Sequence, residues 1–310
     1  MSRKALCSLL AAVAVTSLLL TGCSSDSKED GSASSVPDAS PSQSQQEPDG
    51  SAETPEPVEP APEPAPEPQP EPQSEPQPQP EPAPQSNDAP WDGEPFDYSE
   101  PAPENGTVDK SYFADAAFVG DSRTDGFMIY SGIGCGKNLT SNGLSIFKLG
   151  TKKALKLDGK EYTLLEALRL EQYGKVYLSL GVNELGFYDD EGFYKSYCDA
   201  IDAIQEAQPN AVIYVQGLIP LNEKRVDEEL HRDYLRNDHL RIYNDLMKKA
   251  AREKGVVFLD LYTEFADANG SLPYDASKDG VHLNSDYCKQ WLSYLQTHAV
   301  NRQAVGLPAA

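Results

Sequence analysis

The sequence predicts an α/β domain built on a parallel β-sheet, and three observations point there. Short apolar runs recur beyond residue 115, most of them ending near a glycine or an acid. Longer segments with apolar side chains at helical spacing lie between them. The runs are apolar at successive positions and do not alternate, which is how strands buried on both faces read.

Taken in order, residues 116–119 form a strand ending at Gly120, and residues 122–130 a helix. A glycine-rich stretch (Gly132, Gly134, Gly136) follows, then a second strand edge near 139–142 and Gly143. Residues 163–172 read as a helix from the spacing of Leu164, Leu165 and Leu168, opened by a Thr163-x-x-Glu166 capping box. Residues 175–180 are a strand ending at Gly181, 190–207 a helix and 211–215 a strand. A helix runs from Asp233 or Asn237 to Lys254 and stops at Gly255, where the left-handed backbone that ends helices is easily reached. Residues 256–259 make a strand, and 285–297 the last helix. Tyr177, Tyr214 and Phe258 are assigned to the strand core.

The composition is divided. Of 25 prolines, 21 precede residue 104. Residues 24–107 carry 20 acids and a single base, Lys28, so most of the net charge of −23 resides there. Between residues 55 and 84 proline fills 14 of 30 positions. A segment so poor in apolar surface cannot offset the entropy of ordering. It reads as an extended spacer, able to span at most roughly 250 Å at about 3.1 Å per residue. The expected division is residues 1–22, 23–107 and 108–310, with only the last folded. No basic patch appears, and an acidic tail repels phosphate, so nucleic acid is excluded as a partner.

At the N-terminus Arg3 and Lys4 precede an apolar run, residues 5–20. That run is short of the roughly 20 residues a membrane-spanning helix needs. Positive, apolar, then small is the order of a secretory signal. Leu20-Thr21-Gly22-Cys23 resembles the lipobox of bacterial lipoproteins. The resemblance implies cleavage before Cys23 and lipid on its sulfur. The expected location is the cell membrane, through that lipid, with the domain outside the cytoplasm. Of the other cysteines, Cys7 leaves with the signal, and Cys135, Cys198 and Cys288 allow at most one disulfide or stand as three thiols.

In open α/β sheets, sites gather beyond the carboxyl ends of the strands. Three blocks of this chain lie at such positions or before the last helix: Gly120-Asp121-Ser122, Gly181-Val182-Asn183-Glu184 and Asp279-Gly280-Val281-His282. Together, and in this order, they resemble the blocks of SGNH/GDSL-type hydrolases. That resemblance implies a three-layer α/β/α fold with a flavodoxin-like, mainly parallel sheet. It also implies a serine esterase that needs no metal or cofactor, with Ser122, Asp279 and His282 as catalytic residues. The chemistry asks for these types: a serine hydroxyl needs a base within hydrogen-bond reach, and the base needs an acid to hold its tautomer. The oxyanion donors implied are the Ser122 N–H, a glycine N–H and the Asn183 amide. Gly143 is chosen as that glycine because it follows a strand after the first helix, with Gly132, Gly134 and Gly136 competing. Asp121 is read as structural, holding the loop. The expected substrate is an ester, with a small acyl group on a carbohydrate or cell-envelope polymer favoured, acted on by a monomer. An O-acyltransferase and a non-catalytic surface binding module are the competing readings.

Arg123 and Glu184 depart from the commonest family pattern. Arg123 is expected to pair with Asp125 or Glu184, ahead of an anionic substrate. Segment 218–236 is a candidate wall or lid over the site. Phe187 and Tyr188 either line a pocket or simply pack. His231, Asp233, Asp238 and His239 read as a solvated loop and helix start in preference to a metal site.

Overall fold

The computed structural model describes residues 88–309. The main elements are β1 (Ala116–Gly120), α1 (Ser122–Tyr130), β2 (Lys137–Thr140), β3 (Leu155–Leu157), β4 (Lys160–Tyr162), α2 (Leu164–Leu168) and β5 (Lys175–Ser179). They continue as α3 (Asp190–Ala207), β6 (Val212–Gln216), α4 (Glu223–Arg225), α5 (Asn237–Lys254), β7 (Val257–Leu259), α6 (Leu261–Phe265) and α7 (Ser285–Thr297).

Five strands form one sheet in the order β2-β1-β5-β6-β7, every neighbouring pair parallel. Counted within the sheet the order is 2-1-3-4-5, the doubly wound arrangement whose switch point lies between β1 and β5. Alternate side chains of each strand enter opposite layers. Ala117, Val119, Val176, Leu178, Ile213 and Val215 join one core with residues of α2, α3 and α5. Phe118, Tyr177, Tyr214 and Leu259 join the other, with residues of α1, α6 and α7. Both faces are covered, which is why the strands read as unbroken apolar runs. Tyr177 and Tyr214 are buried and stack at 4.5 Å, and Phe258 is buried too.

Several boundaries differ from expectation for tertiary reasons. β2 starts and ends two residues early because its pairing is set by β1, with Thr140 opposite Gly120. The Thr163–Glu166 capping box is present, but α2 ends at Leu168. There Gln208 donates to the Leu168 and Glu171 carbonyls at 2.6 and 2.8 Å and accepts the Tyr173 N–H at 2.9 Å. A residue some 40 positions away thus takes up the helix's last acceptors. α5 starts at Asn237, the later of the two expected positions, where the side chain accepts from Leu221 N–H and donates to Leu221 O. The hairpin β3–β4 and the short α6 were not anticipated.

The folded part also begins earlier than residue 108. Residues 88–107 lie along the domain, with Ala89 and Ala102 buried. Phe96 and Ala102 donate backbone N–H bonds to Ala304 and Phe258, both at 2.9 Å, and Asn105 donates to Thr297 at 2.7 Å. The Asn301 amide caps Ala89 O at 2.7 Å. Proline and acid persist through this segment, but Trp91, Phe96 and Tyr98 enter it, and apolar surface is what the preceding stretch lacks. The expected signal, spacer and Cys23 lie outside the described residues, apart from the segment 88–107. Among the described residues no helix is long and apolar enough to cross a membrane.

Candidate active site

The site is assembled where β1 and β5 diverge. β1 ends at Gly120, and Asp121 becomes the N-cap of α1, its carboxylate accepting the Arg123 N–H at 2.9 Å. Ser122 is therefore the first helical residue, and its own N–H has no acceptor within the helix. Its Oγ lies 2.8 Å from Nε2 of His282, and Nδ1 of the same ring lies 2.6 Å from Asp279 Oδ2. The other Asp279 oxygen accepts N–H bonds from Val281 at 2.9 Å and His282 at 2.8 Å. The three-residue gap thus closes into a tight loop with acid and imidazole on one side. Gly280 makes this loop possible: its φ is +82°, and a Cβ there would come within 2.3 Å of Asn222 O. Partial burial alone would raise the Asp279 pKa. The bonds from the His282 ring, His282 N–H and Val281 N–H outweigh it and hold the carboxyl well below the usual range. The His282 side chain is 49% exposed, so the relay opens to solvent.

The loops after β2 and β5 close around it. Ser141 N–H continues the β2 pairing by donating to Gly120 O at 3.0 Å, and Leu144 N–H donates to Ser141 O at 3.0 Å. Gly143, with φ +69°, occupies the third position of this turn, where a type II turn demands a positive φ. Among the competing glycines, Gly143 is the one at the carboxyl end of β2 beside the Gly120–Ser122 turn. Gly132, Gly134 and Gly136 lie in the loop before β2. After β5, residues Val182–Glu184 form a single 3-10 turn. Asn183 Nδ2 donates to Asp121 Oδ2 at 3.2 Å and to Leu144 O at 3.0 Å. Asp121, Ser122, Gly143 and Asn183, with the Asp279–His282 pair, are brought to one end of the sheet.

The two departures behave differently from expectation. Arg123 pairs with neither Asp125 nor Glu184. Asp125 accepts from Asn138 at 2.9 Å and Thr140 at 3.2 Å, while Arg123 Nη1 donates to Ile219 O at 3.0 Å. Glu184 is fully buried and accepts the Ile146 N–H. Burial pushes its carboxyl up to about 8, and burial likewise lifts Asp121 to about 6. Sequence reasoning missed Glu184 as a tie between the segments after β2 and β5; its place directly after Asn183 was the available signal.

Of segment 218–236, the first part walls the Asp279–His282 loop. Leu218 to Leu221 are buried, and Asn222 N–H donates to Gly280 O at 3.0 Å. Phe187 and Tyr188 are 63% and 67% exposed; Phe187 meets Phe147 edge-on at 5.6 Å, and Tyr188 stacks on His239 at 4.9 Å. The charged cluster disperses: His239 lies 2.8 Å from Asp190 and 2.9 Å from Leu185 O, and Asp238 binds Arg241. Cys135, Cys198 and Cys288 are free thiols.

Comparison with known structures returns proteins of low identity. A putative platelet activating factor from Streptococcus pneumonia is 20% identical, with 58% of this chain and 81% of that one covered and a TM-score of 0.47. A GDSL-like lipase from Bacteroides thetaiotaomicron is 13% identical, covering 65% and 91%, with a TM-score of 0.45. A peptidoglycan O-acetylesterase is 17% identical, covering 50% and 43%, with a TM-score of 0.39. No curated protein matches the chain. The family model for GDSL-like lipases and acylhydrolases matches residues 118–286, more than half of the chain and all three blocks. The chain belongs to the GDSL-like lipase/acylhydrolase family.

Proposed function

We infer that the protein is a lipid-anchored, extracytoplasmic serine esterase that removes small O-acyl groups from a carbohydrate or cell-envelope polymer. The observation that carries the mechanism is the unbroken run from Ser122 Oγ through the His282 ring to Asp279. Ser122 Oγ attacks the ester carbon while His282 Nε2 takes its proton. Asp279 holds the ring with Nδ1 protonated and stabilises the imidazolium that forms. The tetrahedral oxyanion lies against the N–H groups of Ser122 and Gly143, and Asn183 turns one amide hydrogen from Asp121 toward it. The alcohol leaves with the proton from His282, and an acyl-Ser122 ester remains. Water, deprotonated by His282, then cleaves that ester and frees the acid and the serine. The half-exposed His282 favours water as the second acceptor.

The anchor rests on Leu20-Thr21-Gly22-Cys23, and the envelope substrate rests on the anchor and the proline-rich spacer. The test is release of free acetate from O-acetylated peptidoglycan and acetylated xylan by the full chain, beside Ser122→Ala. Wild-type release with a loss of about 10⁴-fold or more in the variant is expected. Transfer of acetyl to an added alcohol without free acetate would replace hydrolysis by acyl transfer. Binding of the polymer with no turnover, unchanged in Ser122→Ala, would leave a binding module.

A further inference from the structure

Among the described residues Phe187 and Tyr188 are the most exposed large apolar side chains. They follow Asn183 by four and five positions, between β5 and α3, at the end of the sheet that holds Ser122. Phe147 stands four positions beyond Gly143, and its half-buried ring meets Phe187 edge-on at 5.6 Å. Each of the two loops that supply Gly143 and Asn183 thus carries a ring, and the two rings touch. Four residues of extended chain span at most about 14 Å, so the rings lie within a short oligosaccharide of the reacting ester. Glu184 fixes the two loops against each other: its carboxyl accepts the Ile146 N–H, and its carbonyl accepts the Phe187 N–H at 2.9 Å.

The fold does not require these rings to stand in water, where they forgo the stabilisation that burial gives. Tyr188 also has a φ of +51°, a conformation that bulky side chains rarely adopt and that glycine or asparagine reaches more easily. Its ring is held all the same. It stacks nearly parallel on His239 at 4.9 Å, and both nitrogens of that imidazole are engaged, with Leu185 O at 2.9 Å and Asp190 at 2.8 Å. One face of Tyr188 is covered and the other is open. Gly186 lets the same loop lie close on Tyr234, since a Cβ there would come within 3.1 Å of that ring.

We propose that Phe187 and Tyr188 form a fixed platform on which a pyranose ring of the substrate polymer stacks, an inference that rests on the esterase reading above and commits it to a carbohydrate. A pyranose carries polarised C–H groups on its face and hydroxyls around its edge. The C–H face meets the negative face of an aromatic ring, and the hydroxyls stay in water. A platform open on one side suits such a two-sided ligand. It suits a long acyl chain poorly, because a chain apolar all round gains most where every side leaves water. Rings already held in place lose little freedom on binding.

The experiment measures binding and turnover separately in the full chain. Binding of xylotetraose and chitotetraose to Ser122→Ala is followed by calorimetry, where hydrolysis plays no part. Adding Phe187→Ala, or Tyr188→Asn, which keeps a residue at ease with the positive φ, is expected to weaken binding by about fivefold, the worth of one aromatic contact. Phe187→Tyr and Tyr188→Phe, which keep the rings, should bind within about twofold of the parent. With Ser122 intact, Phe187→Ala and Tyr188→Asn should raise KM for acetylated xylan or O-acetylated peptidoglycan about fivefold, with kcat within about threefold. Failure of Ser122→Ala to bind either sugar, or binding that stays within about twofold in both ring-removing variants, overturns the proposal. So does a loss confined to p-nitrophenyl decanoate relative to the acetate, which would make the rings acyl-chain contacts. Wild-type dimers in sedimentation that the ring-removing variants dissociate would overturn it too, in favour of an interface between copies. Ring-dependent sugar binding in a protein that turns over no ester would overturn the esterase reading and leave the platform standing. Turnover with ring-independent sugar binding would do the reverse.

Discussion

Asn183 and Asp121 meet across the loops that end β5 and β1, with Nδ2 of the amide donating to Oδ2 of the carboxylate at 3.2 Å. The second amide hydrogen goes to Leu144 O at 3.0 Å. A carboxylate and a carbonyl only accept, so the nitrogen of Asn183 has to face them. In the proposed mechanism it is the hydrogen now held by Asp121 that turns toward the oxyanion. Replacing Asn183 by Ala is therefore expected to lower kcat about 10²–10³-fold with a much smaller change in KM, as loss of a single oxyanion donor does. Steady-state kinetics on a p-nitrophenyl ester would measure it. An equal rise in KM with kcat unchanged would assign Asn183 to ground-state binding.

Asp121 makes the acid limb of activity steeper than one proton. Burial lifts its carboxyl to about 6, so it takes up a proton within the range over which activity is measured. Protonation of Asp121 frees the Asn183 amide from its forced orientation, a loss that adds to the one caused by protonation of the general base. The logarithm of kcat/KM should fall with a slope approaching two. Asp121→Asn should return the slope to one at a lower plateau. A slope of one in the wild type would separate Asp121 from turnover.

Glu184 links stability to pH in the less familiar direction. Its folded-state pKa, pushed up by burial to about 8, lies above the ordinary 4.5. Between those values the folded protein holds a proton that the unfolded chain has lost. The associated stability is complete below about 4.5 and fades as pH rises through 8. The effect is on the order of 5 kcal/mol, at 1.36 kcal/mol per pH unit. Thermal melts from pH 5 to 8 should show Tm falling in the wild type and a flatter curve in Glu184→Gln, which keeps the volume and removes the charge. Parallel curves would mean that the carboxylate is paired when ionised.

The segment 88–107 is expected to stabilise the domain. It buries Ala89 and Ala102 and ties three backbone N–H groups to the C-terminal part of the chain. A chain starting at residue 108 should melt about 5 °C or more below one starting at 88, since 1 kcal/mol corresponds to roughly 2–4 °C in a domain of this size. Equal melting temperatures would reduce the segment to a passive contact.

What could be read from sequence followed from how locally each feature is determined. The strands were legible because burial on both faces demands continuous apolar residues. That Ser122, Asp279 and His282 stand together was legible because the resemblance picked out their blocks and the fold restricts where those blocks stand. Gly143 could be picked only by its order in the chain, and the turn geometry that requires glycine appears only in three dimensions. The partners of Arg123 and Glu184 were not legible. Ile219 lies 96 residues from Arg123 and Ile146 lies 38 from Glu184, and nothing local encodes such pairings. The early end of α2 has the same cause, through Gln208. The segment 88–107 was obscured by its composition: prolines and acids that deny a segment a core of its own do not stop it from packing on someone else's.

The most direct measurement is reaction of the full chain with a fluorophosphonate, beside Ser122→Ala, with mass spectrometry of the labelled peptide. The hydroxyl 2.8 Å from His282 should yield one adduct, on Ser122, and none in the variant. A folded wild-type protein that takes up no label, or carries it on another residue, would contradict an activated serine at this site.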